Sequence, residues 1–348
     1  MKRAMWIVAA LWTVSVGTAW PIDQVYTSTA PKPYFGKIVN TSATVINFEP
    51  QRKDGPTEIP ANEVTRIIFE NSPDGLLSAQ KAMFDGEYEK AIDALKKETA
   101  EDKRREVGEE IVYCRAYCAA QLALSGASGA PDPIDAAKQM FAFITSSPNS
   151  LHYLKACELM GDICVTLGKF TDAQKYYARL SEAPWPDYKI RAQVALGRSY
   201  LAQDNAAAAD KAFDDALNNS APGELAESQR TAARIGKARC MVLGGKTDEA
   251  LRSLNEVLDR TEEKPPEVNA MAYNALGTAL RKAGKPKEAI LAFLHVHLAY
   301  YTQPDLDAEA VANLEKLFTE THKPDHAREM REILNEKYRN SRWAKGVK

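Results

Sequence analysis

The sequence predicts a mainly α-helical protein, in which a solenoid of about seven helical hairpins follows a small N-terminal β module. Three observations lead to this prediction. One spacing of small and apolar residues recurs along residues 72–340, short β-branched runs occupy residues 34–70, and residues 1–19 have a composition of their own. Helix neighbours lie three and four positions apart, so a recurring spacing of this kind indicates helix pairs that pack alike.

Residues 1–19 are predicted to be a secretory signal peptide. The basic residues Lys2 and Arg3 precede an apolar run over residues 6–16, and small residues occupy positions 17–19. A charged, an apolar and a small-residue region in this order are typical of a signal peptide, and the apolar run is short for a membrane span. An uncleaved N-terminal anchor is the alternative. The sequence therefore predicts export to the periplasm or cell envelope, or full secretion, with no integral membrane span after cleavage.

The next segment predicts a linker and then a β module. Residues 20–33 contain three prolines and are predicted as a linker, within which Val25 and Tyr26 are a further candidate strand. Residues 34–70 are predicted to form a small SH3-like or Sm-like barrel. Its candidate strands are residues 35–39, 43–48, 59–60 and 64–69. Because a module of this size is marginal alone, we expect it to pack against the first helices. It is either a docking or oligomerisation module or a cap for the solenoid.

Two consecutive hairpins between residues 154 and 216 define the repeating unit. Gly161 in the first helix of one hairpin precedes Ala173 in its second helix by twelve positions, and Gly197 precedes Ala209 by the same interval. Glycine and alanine at these places leave room where the two helices approach closely. Neither hairpin buries its apolar face alone, so neighbouring hairpins are expected to stack.

The same interval recurs along the chain. It separates Gly277 from Ala289, Ala238 from Ala250, and Ala79 from Ala91. A poorer copy surrounds Ala136, after a long turn at residues 125–133 that is either a neutral insertion or a contact surface. The last copy carries Glu315 where a small residue is expected, which suits a terminal capping repeat. These copies bring the prediction to about seven units.

The two complete motifs resemble the tetratricopeptide repeat, whose signature is W-x2-L-G-x2-Y followed by A-x3-F. They read Cys157-x2-Met160-Gly161-x2-Cys164 with Ala173-x3-Tyr177, and Gln193-x2-Leu196-Gly197-x2-Tyr200 with Ala209-x3-Phe213. The resemblance implies a right-handed solenoid over residues 72–348 with a C-terminal capping helix. It also implies that the first helix of each hairpin lines a concave groove that binds peptides.

The end of the chain resembles the last repeat of exported bacterial envelope proteins. In that repeat a Tyr-Pro-x-Ser sequence precedes Trp-Ala, and here Tyr338-Arg339-Asn340-Ser341 precedes Trp343-Ala344, with arginine in place of proline. The resemblance implies a tetratricopeptide protein of the exported envelope type, which takes part in cell-envelope organisation.

Six residues are predicted for the peptide-binding groove by carrying the family's groove over to the matching helices. They are Arg191, Arg198, Arg239, Asn274, Arg281 and Lys282. Guanidinium groups pair with carboxylates, so the predicted ligand is an acidic protein segment or chain terminus. Ordinary solvated charge on a helix face is the alternative. The net charge of −2 gives no dominant basic field, so nucleic acid is not a predicted partner.

The sequence contains no nucleophile, zinc or phosphate-binding motif, so we expect a protein that is not an enzyme and has no cofactor or metal. Its five cysteines all fall in predicted helices and are expected to be buried structural thiols. They are Cys114, Cys118, Cys157, Cys164 and Cys240. A disulfide between adjacent helices is the alternative in an exported protein. The predicted function is an exported scaffold or adaptor that holds a partner protein or peptide in its groove. The alternative is a structural protein that self-assembles into a homo-oligomer through the β module or the solenoid end.

Overall fold

The computed structural model describes residues 22–51, 55–101, 103–260 and 265–346. The predicted signal peptide, residues 1–19, lies outside the described part of the chain. In that part an N-terminal antiparallel sheet of five strands precedes fourteen α-helices, which confirms the predicted fold class. A search of the described helices finds none that is long and apolar enough to span a bilayer.

The sheet is built from consecutive antiparallel neighbours and one returning strand. The strands are β1 (Asp23–Thr27), β2 (Tyr34–Thr41), β3 (Val45–Pro50), β4 (Thr57–Pro60) and β5 (Val64–Ile68). Their order in the sheet is β4-β3-β2-β1-β5, so the last strand returns to pair with the first. Val25 of β1 lies between Tyr34 on one side and Ile67 on the other. The five-stranded module is confirmed, and its class as an SH3-like or Sm-like barrel stays a prediction.

The assignment of residues 20–33 to a linker is wrong over β1. The sequence of this strand does not alternate between apolar and polar residues, because its first two residues, Asp23 and Gln24, are polar and yet buried. The carboxylate of Asp23 is held by hydrogen bonds from distant parts of the chain: it accepts from Ile38 N and from Glu70 N, both at 2.8 Å. The β module therefore begins at Asp23 and not at residue 34.

The fourteen helices form seven consecutive hairpins, as the recurring interval predicted. The first helices of the hairpins are α1 (Asp74–Phe84), α3 (Arg105–Ser125), α5 (Tyr153–Thr166), α7 (Pro186–Ala202), α9 (Glu224–Leu243), α11 (Pro266–Lys282) and α13 (Pro304–Glu320). Their second helices are α2 (Tyr88–Leu95), α4 (Pro133–Ser146), α6 (Phe170–Ser181), α8 (Ala206–Leu217), α10 (Thr247–Asp259), α12 (Pro286–Ala299) and α14 (Pro324–Lys337). Each first helix also packs against the first helix of the next hairpin from α7 to α13.

Glycines of the first helices seat aromatic rings of the second helices. A Cβ atom at Gly161 would lie 2.3 Å from the Tyr177 ring, and one at Gly197 would lie 2.5 Å from the Phe213 ring. Both distances are far below van der Waals contact, so only glycine fits. The predicted close approach of the two helices is confirmed. It arises because the aromatic ring lies four positions after the alanine of the recurring interval and packs directly against the glycine.

The β module and the first helices share one hydrophobic core. Phe48 and Ile38 of the sheet pack in the same buried cluster as Leu76 and Ile111 of α1 and α3. Arg104, just before α3, crosses the boundary and donates two 2.9 Å hydrogen bonds to the Asp23 carboxylate. The expected packing of the module against the first helices is therefore confirmed.

All five cysteines are free and buried, as predicted. Burial raises the pKa of Cys157, Cys164 and Cys240 to about 11. The thiols are consequently protonated at neutral pH and poor nucleophiles.

The long turn between α3 and α4 meets the C-terminal end of the chain. Ser128 N donates to Lys337 O at 3.0 Å, Asn340 N donates to Gly126 O at 3.0 Å, and Asn340 Nδ2 donates to Ala127 O at 3.2 Å. Helix α13 also touches α3. The row of hairpins from α3 to α14 therefore curves until its end returns to its beginning, and the long turn is a contact surface within the molecule.

Candidate functional site

The inner surface of the curved solenoid is lined by first helices, and it carries most of the residues predicted for the groove. Contacts between these helices define it: Arg191 of α7 pairs with Glu158 of α5, and Arg281 of α11 pairs with Glu320 of α13. Arg239 of α9 reaches α13, two hairpins away. We call this inner face, which runs from α5 to α13, the concave surface.

Arg191 is part of an internal ion pair. Its Nε donates to Glu158, whose carboxylate also accepts from Lys155 Nζ at 3.2 Å. Burial opposes ionisation of Glu158, but the two cations outweigh it and lower the pKa of that carboxyl group. The Arg191 guanidinium carbon lies 5.8 Å from the centre of the Tyr188 ring. This arginine therefore joins α5 to α7 and has little freedom to bind a ligand.

Arg239 and Asn274 belong to one buried polar network. Arg239 Nη2 donates to Glu309 Oε1 at 2.8 Å, and Asn274 Nδ2 donates to Glu309 Oε2 at 3.3 Å and to Leu306 O at 2.9 Å. Asn274 is fully buried, and Glu309 is 4% exposed. The network pins α9, α11 and α13 together and thereby tightens the curvature of this half of the solenoid.

The last two predicted groove residues lie at the end of α11. Arg281 is hydrogen-bonded to Glu320, whereas Lys282 is exposed. Residues 281 and 282 are adjacent on the helix, so they point in different directions. The structure does not bring Lys282 together with the network of Arg239 and Asn274.

Arg198 of α7 differs from the other arginines of the concave surface. Its side chain is exposed, and among the described residues it takes part in no hydrogen bond or close ion pair. The surrounding protein opposes its charge, but the carboxylates of Asp162, Glu267 and Asp305 outweigh this and raise the pKa of Arg198 above its usual value. The three carboxylates come from α5, α11 and α13, so Arg198 faces acidic groups on several sides.

These three carboxylates differ in how they are held by the rest of the protein. Asp162 accepts a 2.7 Å hydrogen bond from Tyr177, and burial together with the neighbouring Glu158 raises its pKa. Asp305 accepts from Trp343 Nε1 at 3.1 Å, in the C-terminal segment. Glu267 is exposed. The site around Arg198 therefore has a cation that is hydrogen-bonded to no described residue but is stabilised electrostatically by nearby carboxylates.

Sequence reasoning missed Glu267, Asp305 and Glu309. The last two lie on α13, whose hairpin departs from the repeat motif at Glu315, so the groove of the matching hairpins was not carried over to it. The missing signal is the four-residue spacing of Asp305 and Glu309 at the start of this helix. Asp305 and Glu309 lie one turn apart and share the inner face.

The described residues contain no group of three or more His, Cys, Asp or Glu side chains arranged to hold a metal ion. Two histidines of this part of the chain are each hydrogen-bonded to one carboxylate: His152 Nε2 lies 2.7 Å from Glu110 Oε2, and His297 Nδ1 lies 2.7 Å from Asp307 Oδ1. Both pairs link neighbouring elements of the solenoid.

Neither protein-family profiles nor curated proteins match this chain. Solved structures do match it. A tetratricopeptide repeat protein from Parabacteroides merdae has 15% identity and a TM-score of 0.52, with 79% of this chain and 96% of that chain covered. The apo form of RapI has 12% identity and a TM-score of 0.54, with 78% of this chain and 97% of that chain covered. The chain therefore has the fold of tetratricopeptide-repeat proteins, which confirms the resemblance at the level of the fold.

Proposed function

We propose that this protein is a non-enzymatic scaffold that binds a segment of a partner protein on its concave surface, next to Arg198. Solenoids of stacked helical hairpins present extended concave surfaces that suit such binding. The single observation that carries the proposal is Arg198 itself, an exposed residue of the concave surface whose guanidinium has no hydrogen-bonded partner among the described residues.

The proposed ligand is acidic because of what each arginine would gain or lose. A carboxylate of the ligand forms two parallel hydrogen bonds with Arg198 without displacing an existing contact. At Arg239 the same ligand would have to displace Glu309, and it would leave that carboxylate buried and unpaired. Binding at Arg198 is therefore favoured over binding at the other arginines of the concave surface.

The test is capture of partners by a crosslinking pull-down with mass spectrometry, in which the chain from Trp20 onward is the bait. We expect Arg198→Glu to lower capture of the enriched partners about 10-fold or more, since it replaces attraction by repulsion. Lys211→Glu is the matched control, because Lys211 is exposed on the second helix of the same hairpin. Equal capture by both variants, at unchanged helicity, would show that Arg198 does not bind the partner.

We also propose that the protein is exported and acts in the periplasm or cell envelope, on the strength of the signal-peptide pattern in residues 1–19. The test fuses residues 1–33 to a reporter enzyme that is active only outside the cytoplasm. Activity is expected for the natural sequence and not for a control in which two residues of the apolar run, Val8 and Leu11, are replaced by aspartate. An inactive natural fusion would contradict export.

A second candidate function is self-assembly through the β module. Phe35 and Val39 on β2 are exposed by 42% and 49%, although both are large and apolar. Deletion of the module is a poor test because it shares a core with α1–α3. Light scattering of the double variant Phe35→Lys, Val39→Lys is the sharper one: a mass that falls to one chain favours self-assembly, and an unchanged mass argues against it.

A further inference from the structure

We propose that residues 338–346, which we call the strap, hold the solenoid closed and must leave the turn between α3 and α4 before a segment flanked by folded domains can reach the concave surface. The closure is inferred from the contacts of the strap alone. The control of access rests, in addition, on the proposed function.

One side of the strap is bound firmly to its own end of the solenoid. Tyr338 is 1% exposed, and its hydroxyl donates to the buried Asp307 carboxylate. Farther along, Trp343 Nε1 donates to Asp305 at 3.1 Å, and Arg342 lies 3.4 Å from the same carboxylate. These contacts combine a buried aromatic ring with hydrogen bonds to charged groups, which are the stronger kind.

The other side of the strap meets the turn through fewer and weaker contacts. Its direct hydrogen bonds are those from Asn340 to the carbonyl oxygens of Gly126 and Ala127, and the adjoining Lys337 O accepts from Ser128 N. All three join neutral groups. When the closed solenoid opens, the break is therefore expected between the strap and the turn, while the strap stays on α13.

Gly126 is the position where strap and turn lie closest. A Cβ atom there would lie 2.5 Å from both Cα and Cβ of Ser341, and Ser341 is 4% exposed. The residue also has a φ of 64°, in the left-handed region that favours glycine. The turn thus accepts the strap only because this position lacks a side chain.

The strap is connected to the proposed binding site through Asp305. This carboxylate holds Trp343 and Arg342 of the strap, and it also acts electrostatically on Arg198. The same carboxylate therefore belongs both to the firmly bound side of the strap and to the charged surroundings of Arg198.

Closure is tested with the variant Gly126→Val, which places a side chain against Ser341. Gly129→Val is the matched control, because Gly129 lies in the same turn at a φ of 85° but has nothing within 4 Å of its Cβ position. Both variants strain the backbone, and only the first displaces the strap. We expect Gly126→Val to raise amide hydrogen exchange of peptides covering residues 337–346 about 10-fold over the control. Equal exchange in both variants would overturn closure by the strap.

Access is tested with the double variant Ser128→Cys, Lys337→Cys, which we call the lock because oxidation can join the two cysteines. The main chains of residues 128 and 337 are already joined by the 3.0 Å hydrogen bond from Ser128 N to Lys337 O. The probe is a twelve-residue segment of alternating glutamate and glycine held between two folded domains. Oxidation of the lock is expected to slow association of this probe about 10-fold, and reduction is expected to restore the rate.

The same segment as a free peptide separates the two proposals. It enters by its end, so the lock is expected to leave its association rate unchanged. Equal rates of the flanked probe with the oxidised and reduced lock would overturn the control of access. Failure of the free peptide to bind the reduced protein would overturn the acidic ligand of the proposed function and the control of access with it, while the exchange experiment still decides closure.

Discussion

At the scale of single residues, the hairpins depend on positions where a side chain has no room. Phe213 of α8 is the best example, because a Cβ atom at either Gly197 of α7 or Gly236 of α9 would lie within 2.5 Å of its ring. The ring therefore fills the space between two consecutive hairpins. A single ring of this kind, with a glycine on each side, fixes both the pairing within a hairpin and the stacking onto the next.

We predict that Gly197→Ala lowers the free energy of unfolding by about 1–3 kcal/mol, because the added methyl group overpacks the core at Phe213. Gly244→Ala is the control, since its Cβ would meet no atom closer than 3.5 Å. Urea unfolding followed by circular dichroism measures both. A midpoint for Gly197→Ala equal to that of the control would mean that the ring has room to move.

Glu110 of α3 gives a pH-dependent prediction. Burial opposes its ionisation, but His152 and the hydrogen bond from Gln80 outweigh burial and lower its pKa below the ordinary 4.5. A lowered pKa in the folded state means that the ionised carboxylate stabilises the fold above pH 4.5, and that this contribution is lost as the pH falls through the lower, folded-state pKa.

We therefore expect Glu110→Gln to cost about 1–3 kcal/mol of unfolding free energy at pH 7, and to cost less as the pH falls below 4.5. The variant Glu256→Gln serves as the control, because it removes a carboxylate from an exposed position. Urea midpoints from pH 7 to pH 3 give the comparison. A cost that stays constant over this range would mean that ionised Glu110 does not stabilise the fold.

At the scale of helices, buried polar side chains decide how closely neighbouring hairpins approach. The network of Arg239, Asn274 and Glu309 ties together three first helices that follow one another along the solenoid. Arg104 has the corresponding role at the other end, where it ties α3 to β1 through Asp23. In both places a buried carboxylate receives donors from different elements, so the elements are held in one arrangement.

We predict that Arg239→Ala lowers the unfolding free energy by about 3 kcal/mol, because Glu309 loses its cation while it stays buried. Arg281→Ala is a matched control on the same surface. Its partner Glu320 is 49% exposed, so water replaces the arginine and the expected cost is under about 1 kcal/mol. Calorimetric melting of the two variants compares them. Similar losses for both would contradict a structural role specific to Arg239.

The hairpins were predictable from the sequence because their signal is local. Twelve positions between Gly197 and Ala209 specify a contact within one hairpin, and every copy of the interval repeats the same information. The partners of the arginines were not predictable, since Glu309 lies 70 positions after Arg239 and its hairpin departs from the motif. The start of β1 was misplaced for a related reason: Val25 and Tyr26 were recognised as a candidate strand, but Asp23 is buried by contacts with distant residues and not by its own pattern.

At the scale of the whole molecule, the hydrophobic core passes from the sheet into the helices without a boundary. Phe48 of β3 is 1% exposed in the cluster that also contains Leu95 and Ile111. The β module thus packs onto the N-terminal end of the solenoid as part of one core. The curvature of the solenoid is the sum of small rotations between many successive hairpins. It could not be predicted from the sequence, because the recurring interval describes only one hairpin at a time.

We expect Phe48→Ala to cost about 3–5 kcal/mol locally and to raise hydrogen exchange in α1–α3 as well as in the sheet. The helices α11–α14 are expected to keep their protection. Phe293→Ala in α12 is the reciprocal control, since this ring is fully buried in the C-terminal cluster. Amide hydrogen exchange measured by mass spectrometry compares the two variants. Loss of protection confined to the sheet in Phe48→Ala would show that the shared core does not couple the two regions.

The meeting of the chain's end with the α3–α4 turn also orders events during synthesis. Each hairpin is made of neighbouring segments of the chain, but Asn340 and Ala127 are 213 positions apart. At about 5–20 residues per second, the turn waits roughly 10–40 s for its partner, because the ribosome must first make everything between them. A newly made chain therefore passes through a long-lived open form, in which the inner face is available to whatever binds nascent protein.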